Sequence, residues 1–218
     1  MVIKGKIKRV NGSLVVAEGL HGVKIGDVVH IGELKLIGEV VRIFGGDAAL
    51  QCYEDTSGLK PGEPVVSTGR PLSAELGPGL IGGIFDGLEF SEMAMWQLIG
   101  PFMKKGVKLT PLDRKKKWVF TPKVKKGDKV VEGDIIGTVP ETSVIEHRIL
   151  VPVGLRGMVT EIKEGEFTVE DEVALIELPE GGKVGIKLMQ LWPVRVPRPY
   201  KVRLPAVEPL ITGQRVID

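Results

Sequence analysis

The glycine-rich stretch at residues 76–83 raises the first chemical question, which is whether this chain binds phosphate. It reads Leu-Gly-Pro-Gly-Leu-Ile-Gly-Gly. Phosphate-binding loops present backbone N–H groups to the anion, and glycines permit that close approach. This stretch lacks the Gly-Lys-Ser/Thr ending of such a loop and the glycine spacing of a dinucleotide-binding turn. We therefore interpret it as a turn region.

The histidines and the cysteine form no pattern for metal or nucleophilic chemistry. His21, His30 and His147 are scattered along the chain without the short spacings of paired metal ligands. Cys52 lies in a predicted strand, where a buried small hydrophobe is the better interpretation than a nucleophile. The serines have no nucleophile-elbow context. We predict no catalytic residue, no cofactor-binding residue and no metal ligand within this chain.

Composition favours an all-β protein that works inside the cell. The 218 residues include 29 glycines and 15 prolines, and aromatic residues make up only 5%. Such a mixture is typical of many short strands and tight turns. The single cysteine excludes internal disulfides, and the net charge of +2 gives no global bias toward nucleic acid or membrane. No signal peptide or membrane-spanning stretch is present in the sequence, so we expect a cytoplasmic protein.

Residues 2–70 predict a small closed β-barrel. Residues 2–10 alternate with period 2, Asn11-Gly12 is a strong two-residue hairpin signal, and residues 13–17 form the return strand. Several short strands at this spacing, separated by turns, indicate a barrel. The further strands are predicted at residues 28–31, 36–43, 48–53 and 64–67.

A short helix is predicted at residues 91–103, with Ser91 as its N-cap. Its methionine and aromatic residues form a partly amphipathic stripe, which we expect to pack in the core. The stripe consists of Met93, Met95, Trp96, Ile99 and Met103.

Residues 121–188 predict a second β module. Two half-repeats, at residues 124–137 and 157–176, combine Gly-Asp turns with short runs of β-branched residues. This pattern resembles the hammerhead of biotinyl and lipoyl carrier domains, which present a lysine at a hairpin tip for cofactor attachment. The corresponding turn at residues 140–146 contains no lysine. A carrier domain is therefore a disfavoured alternative, because a shared fold does not imply a shared function and the attachment lysine is missing.

Charge is segregated between two stretches of the second module and its approach. Residues 104–129 hold eleven Lys and Arg against Asp113 and Asp128, and residues 161–180 hold eight Asp and Glu against Lys163. These stretches are two solvated faces, or charges that pair within one domain, or a docking surface for a charged partner. A nucleic-acid-binding barrel is a further alternative, although the basic stretch offers few aromatic stacking platforms.

The prolines of residues 192–200 predict an extended linker. After it, Thr212 is a plausible N-cap for a helix that begins at residue 213, and a helix so short is not stable alone. We therefore expect that the chain stops inside a larger domain.

Motifs in three regions of the chain carry a family resemblance: residues 5–16, 26–29, 32–34, 36–40 and 53–58 in the predicted barrel, 76–80 and 85–87 in the connector, and 190–195, 198–199 and 209–215 near the end. Together they resemble the N-terminal barrel, the connector and the approach to the nucleotide-binding domain in the catalytic A subunits of vacuolar/archaeal-type rotary ATPases. The region between them resembles the insertion that marks A subunits and is absent from their B-subunit partners. One departure lies at residues 88–92, where Leu-Glu-Phe-Ser-Glu replaces the usual aliphatic residue and Gln-Arg-Pro-Leu.

The resemblance implies an all-β chain with four segments. These are an N-terminal β-barrel at 1–70, a connector with a short helix at 71–109, a hammerhead-like β-sandwich insertion at 110–188, and a linker with the start of a truncated nucleotide-binding domain at 189–218.

The function that the resemblance implies is assembly and stator contact in a rotary ATP synthase or ATPase, which couples ATP chemistry to proton or sodium transport. B subunits would contact the barrel and the peripheral stalk would contact the insertion, with no nucleic acid and no direct membrane insertion. ATP and Mg would bind to the full subunit, not to these residues. The complex would lie on the cytoplasmic side of a membrane.

Overall fold

The structure of the chain is a computed structural model, which describes residues 3–102, 104–107, 109–198, 200 and 202–217. Strands make up 42% of it and helix only 4%, so the all-β prediction is confirmed. The first six strands form a closed barrel in the order β1-β2-β5-β4-β3-β6. They are β1 (Lys4–Asn11), β2 (Leu14–Glu18), β3 (Asp27–Ile31), β4 (Leu36–Phe44), β5 (Asp47–Cys52) and β6 (Pro64–Pro71).

The barrel closes because its last strand pairs with its first, with Val66 of β6 opposite Lys4 of β1. The predicted hairpin is present, and Gly12 takes the left-handed φ of 58° that this turn requires. Inward-facing aliphatic side chains of the strands form the barrel core, and each is fully buried. The largest are Ile7, Val15, Val29, Ile31, Leu36, Val40, Leu50 and Val65.

The connector contains strand β7 (Ser73–Leu76) and helix α1 (Glu92–Ile99). Ser91 is the N-cap as predicted, since its hydroxyl accepts a hydrogen bond from the N–H of Ala94 at 3.3 Å. The helix ends four residues earlier than predicted, and the next residue, Gly100, has a φ of 77° that suits a glycine C-cap. Met103, the predicted last residue, lies outside the described residues.

The expectation that the stripe of α1 packs in the core is wrong for two of its members. Met95 is buried, whereas Met93 and Trp96 are each 62% exposed. The helix has only eight residues, and Met95 is the one among them that is buried, so most of the stripe is left uncovered.

Eight strands after the connector form two four-stranded sheets, with the orders β11-β10-β8-β13 and β15-β14-β12-β9. The predicted hammerhead-like sandwich is confirmed, and Phe120, Ile136, Val139, Val159 and Ile176 are fully buried between its sheets. The strands are β8 (Trp118–Pro122), β9 (Lys129–Val130), β10 (Ile135–Pro140), β11 (Glu146–Leu150), β12 (Gly157–Ile162), β13 (Gly165–Phe167), β14 (Glu172–Glu177) and β15 (Lys183–Lys187).

The same Gly-Asp turn recurs in both modules. At residues 125–128, the Asp128 carboxylate accepts the N–H of Lys125 at 2.7 Å, and at 131–134 that of Asp134 accepts the N–H of Val131 at 2.8 Å. Residues 24–27 of the barrel repeat this bond at 2.9 Å. The aspartate satisfies a backbone donor inside the turn, so this local pattern reverses the chain without outside help.

The last strand, β16 (Gln190–Pro193), pairs antiparallel with β7, with Gln190 opposite Leu76 and Pro193 opposite Ser73. The chain therefore leaves for the sandwich and returns from it along one two-stranded ribbon, which we call the neck. No helix among the described residues is long and apolar enough to cross a membrane.

The helix expected from residue 213 is not formed in the described residues. Thr212 accepts the N–H of Gln214 at 3.1 Å, and one turn follows, closed by the bond from Ile217 to Gln214. The hydrogen bonding of one turn does not offset the entropy lost on starting a helix, so no helix forms here. Asp218 lies outside the described residues.

Close packing inside the sandwich predicts a sharp effect of Gly137→Ala. A Cβ at Gly137 would stand 2.2 Å from a ring carbon of Phe120 and 2.7 Å from the Thr121 carbonyl oxygen. We expect the free energy of unfolding to fall by about 2–3 kcal/mol, measured by urea denaturation. Gly87→Ala is the matched control, because a Cβ there meets no atom within 4 Å. Equal stability of the two variants would contradict this packing.

Candidate interaction sites on the barrel, neck and insertion

An ion pair joins the barrel to the returning chain just after the neck. Arg195 reaches Glu39 of β4 with both terminal nitrogens, one of them at 2.9 Å from Oε2. The Tyr53 hydroxyl donates to the same carboxylate. The Glu39 side chain is only 7% exposed, so its charge depends on these two donors.

These contacts shift the pKa values of all three groups. The hydrogen bond from Arg195 holds the pKa of Glu39 below its ordinary value, with the Tyr53 hydroxyl adding to the effect. The same bond raises the pKa of Arg195. Burial, and then the neighbouring Glu39, raises the pKa of Tyr53. The site is therefore a fixed carboxylate–guanidinium pair rather than a proton-transfer site.

Arg114 plays the corresponding part at the other end of the neck. Its Nη2 lies 2.6 Å from Glu75 of β7, and its Nε lies 3.2 Å from Glu170 of the sandwich. Its Nη1 contacts the sulfur of Met189 at 3.1 Å, immediately before β16. One side chain thus connects both neck strands with the sandwich.

The segment before the sandwich is bonded to the barrel. The Glu54 carboxylate accepts the N–H of Ile37 at 2.9 Å and that of Gly106 at 2.7 Å. Lys105 donates to the Ser57 carbonyl oxygen. The connector therefore lies against one end of the barrel.

The glycine-rich stretch does bind an anion through its N–H groups, but the anion is a glutamate side chain of the same chain. The N–H groups of Gly79 and Ile81 donate to Glu141 Oε1 at 2.6 and 3.2 Å. Glu141 is in the turn between β10 and β11, where a carrier domain would present its lysine. Sequence reasoning missed this contact, because the partners are about sixty residues apart.

The basic and acidic stretches are brought side by side in one sheet. Strand β13 pairs with β8, with Phe167 opposite Trp118 and Glu166 opposite Val119. The pair between Arg114 and Glu170 neutralises part of the charge. The next three lysines, Lys115 to Lys117, are exposed, and no carboxylate of the described residues lies within ion-pair distance of them. Lys116 stacks over the Trp118 ring at 3.8 Å.

The remaining candidate residues stay separate. Cys52 is buried, its sulfur lies 3.6 Å from the Ile37 carbonyl oxygen, and burial raises the pKa of its thiol, as suits a packed residue. His147 contacts Glu141 at 3.2 Å, whereas His21 and His30 belong to the barrel. Among the described residues, no three His, Cys, Asp or Glu side chains group as metal ligands would.

Two family models match the two modules. The ATP synthase alpha/beta family beta-barrel domain matches residues 7–69, and the ATP synthase alpha/beta subunit barrel-sandwich domain matches residues 109–195. The chain belongs to the ATP synthase alpha/beta family. These matches and the relatives below confirm the predicted resemblance to vacuolar/archaeal-type A subunits.

Relatives within this ATP synthase family match along the whole chain. The V-type ATP synthase alpha chain of Acetivibrio thermocellus is 54% identical over 99% of this chain, which covers 36% of that relative. The A subunit of the A-type ATP synthase of Pyrococcus abyssi is 54% identical over 100% of this chain, or 22% of the relative. That of Thermofilum pendens is 53% identical over 99%, or 36% of the relative. The chain thus spans about a third or less of these relatives and corresponds to their N-terminal part.

The family assignment leaves the carrier-domain and nucleic-acid alternatives without support. The departure at residues 88–92 is accommodated locally. Asp86 accepts the N–H groups of Leu88 and Phe90 at 2.9 and 2.8 Å, and Glu89 takes a φ of 66°. The Glu89 carboxyl accepts the Glu75 N–H at 2.7 Å, and burial raises its pKa.

Removing the guanidinium that faces Glu39 should give a pH-dependent loss of stability. In Arg195→Ala the carboxylate stays buried with Tyr53 alone, so we expect the melting temperature to fall by about 2–4 °C at pH 7. The folded-state pKa of Glu39 is lowered, so its contribution is full above the unfolded pKa of about 4.3 and is lost as the pH falls through the folded value. The difference in melting temperature between Arg195→Ala and the unmodified chain should therefore shrink below about pH 4.

Arg198→Ala is the matched control, because Arg198 stacks on the Trp192 ring at 4.5 Å and has no carboxylate partner among the described residues. Its effect should not vary between pH 4 and pH 7. A melting-temperature difference for Arg195→Ala that stays constant from pH 7 down to the lowest pH at which the chain still folds would contradict the prediction. It would show that the pair with Glu39 adds nothing to stability.

Proposed function

We propose that this chain is the assembly and stator-contact part of the A subunit of a rotary V/A-type ATP synthase or ATPase. The observation that carries the proposal is the identity of about 54% to A-type and V-type ATP synthase chains over essentially all of its length. The whole enzyme would couple ATP synthesis or hydrolysis to proton or sodium transport, at the cytoplasmic face of a membrane.

The proposal keeps the four-segment division at 1–70, 71–109, 110–188 and 189–218. Support comes from two separate hydrophobic clusters, one in the barrel and one in the sandwich, each with its own fully buried residues. Since each module buries its own apolar surface, each has a core on which to fold.

Catalysis is proposed to need residues outside this chain. In the family that the chain resembles, the phosphate-binding loop follows the Thr-Gly-Gln-Arg segment at residues 212–215, and ATP and Mg would bind there. We therefore propose that residues 1–218 contribute no catalytic, cofactor-binding or metal-binding residue. The glycine-rich stretch supports this view, since Glu141 accepts two of its N–H groups.

The barrel is proposed to contact neighbouring B subunits. Support comes from apolar side chains at the end of β4, where Val41, Ile43 and Phe44 are exposed. Ile43 and Phe44 are each 42% exposed beside the turn to β5. Clustered apolar side chains of this kind mark protein–protein contacts more often than isolated ones do.

The insertion is proposed to contact the peripheral stalk through Lys115 to Lys117. Internal pairing occupies Arg114, but these three ammonium groups have no carboxylate within ion-pair distance among the described residues. Asp113 and Asp171 interact with these lysines only at longer range, so much of the positive charge of this exposed segment can steer the approach of an acidic partner.

Substitution of the apolar end of β4 tests the barrel contact. We expect Ile43→Lys together with Phe44→Lys to weaken association with B subunits by about tenfold or more, because an apolar contact is lost and charge is buried. Sedimentation of mixtures of the chain and B subunits would measure this. Val119→Lys on the sandwich, also exposed, is the control and should bind as the unmodified chain does. Equal binding of all three proteins would refute the barrel contact.

Charge reversal tests the insertion contact. Lys115→Glu with Lys117→Glu should slow association with a peripheral-stalk preparation and reduce its dependence on salt, since exposed charges are screened over about 8 Å at physiological ionic strength. Stability should change by less than about 0.5 kcal/mol per substitution. Lys4→Glu with Lys6→Glu, both exposed on β1, is the matched control.

Two outcomes would count against the insertion contact. A large fall in melting temperature would mean that Lys115 and Lys117 serve internal pairing with the acidic stretch. Unchanged binding with unchanged stability would mean that the basic stretch is only a solvated face.

A further inference from the structure

The turn between β10 and β11, at residues 140–146, is docked onto the connector rather than free. We propose that the glycine-rich stretch is a carboxylate-binding site, and that its ligand in the folded chain is Glu141. The inference does not depend on the proposed function, because it concerns only contacts within the 218 residues.

The receptor half of the site is built from backbone. Gly79 and Ile81 direct two N–H groups at one oxygen of Glu141, at 2.6 and 3.2 Å. Alternate N–H groups that converge on one point form an anion-binding concavity. Pro78 has no N–H, so the residue before Gly79 offers no competing donor.

Glycine is required at position 79 for two reasons. Its φ is +112°, a conformation that other residues rarely adopt, and an added Cβ would lie 3.2 Å from the Trp118 ring. Gly77 is packed closely too, because a Cβ there would lie 2.9 Å from Leu112. The backbone of the connector is thereby pressed onto the sandwich core, which holds the two N–H groups in place.

The turn that carries Glu141 is held by its own hydrogen bonds. The Glu141 N–H donates to the Ile145 carbonyl oxygen at 3.0 Å, and the Thr142 hydroxyl accepts the N–H of Ile145 at 3.0 Å. The second carboxylate oxygen of Glu141 lies 3.2 Å from His147 Nδ1. The side chain is only 3% exposed. A preorganised, desolvated carboxylate loses little entropy on binding and gains charge-assisted hydrogen bonds.

The bond ties two parts of the chain that no strand pairing joins. Gly79 follows neck strand β7, and Glu141 lies at the far end of the β10–β11 hairpin. If the hairpin tip moved away from the connector, the N–H groups of Gly79 and Ile81, both exposed residues, would exchange a charged acceptor for water and lose the stronger hydrogen bonds. Glu141 therefore holds the hairpin turn against the connector. In carrier domains the corresponding turn presents the lysine for cofactor attachment.

Hydrogen exchange with chemical rescue tests the site in the full chain. Glu141→Ala should speed amide exchange of Gly79 and Ile81 by about tenfold or more, while the amides of Val139 and Ile149 in the sheet stay protected. Added acetate should slow the exchange at Gly79 and Ile81 again, and chloride at the same ionic strength should not. Glu146→Ala on the same hairpin is the matched control, because Glu146 makes only a long surface pair with Lys123 at 3.9 Å.

Glu141→Gln keeps the shape and an acceptor oxygen, so it should fold and still show faster exchange at both amides, to a smaller degree than Glu141→Ala. Unchanged exchange at Gly79 and Ile81 in both variants would overturn the proposal. Exchange that rises in Glu141→Ala without any response to acetate would also overturn it, because the glutamate would then act only by filling space.

Discussion

The pair between Arg195 and Glu39 is the interaction on which the arrangement of the two modules depends. It joins positions 156 residues apart and fixes where the returning chain meets the barrel. Two residues before that point, β16 ends its pairing with β7 in the neck. Without Arg195 the buried carboxylate would keep Tyr53 as its donor but lose its counter-charge, so the pair favours the observed position of the returning chain.

The neck is held at both ends by arginine. Arg195 anchors it to β4, and Arg114 anchors it to the sandwich through Glu75 and Glu170. Each guanidinium offers several donors in one plane, so it can hold two or three acceptors from different elements at once. Two modules with separate cores are thereby joined by polar contacts, whereas each module itself is held by apolar burial.

The fold could be predicted from the sequence as far as its signals are local. The Asn11-Gly12 hairpin and the Gly-Asp turns act within four residues, and the strands between them followed from period 2. The contacts Arg195–Glu39 and Gly79–Glu141 could not be predicted, since neither residue type nor spacing tells which distant polar groups meet. The exposure of Trp96 was missed for a related reason: periodicity shows that one face is apolar, not what covers it.

The neck also bears on how such a chain can change over evolutionary time. Leu76 and Gln190 are opposite each other in an antiparallel ladder, where paired Cα atoms stand about 5 Å apart. A tight turn spans that gap, so a gene could gain or lose residues 77–189 as one block while the barrel strands kept their pairing. The two ends of this block, which holds the connector helix and the sandwich, are therefore close enough for a short turn to replace it.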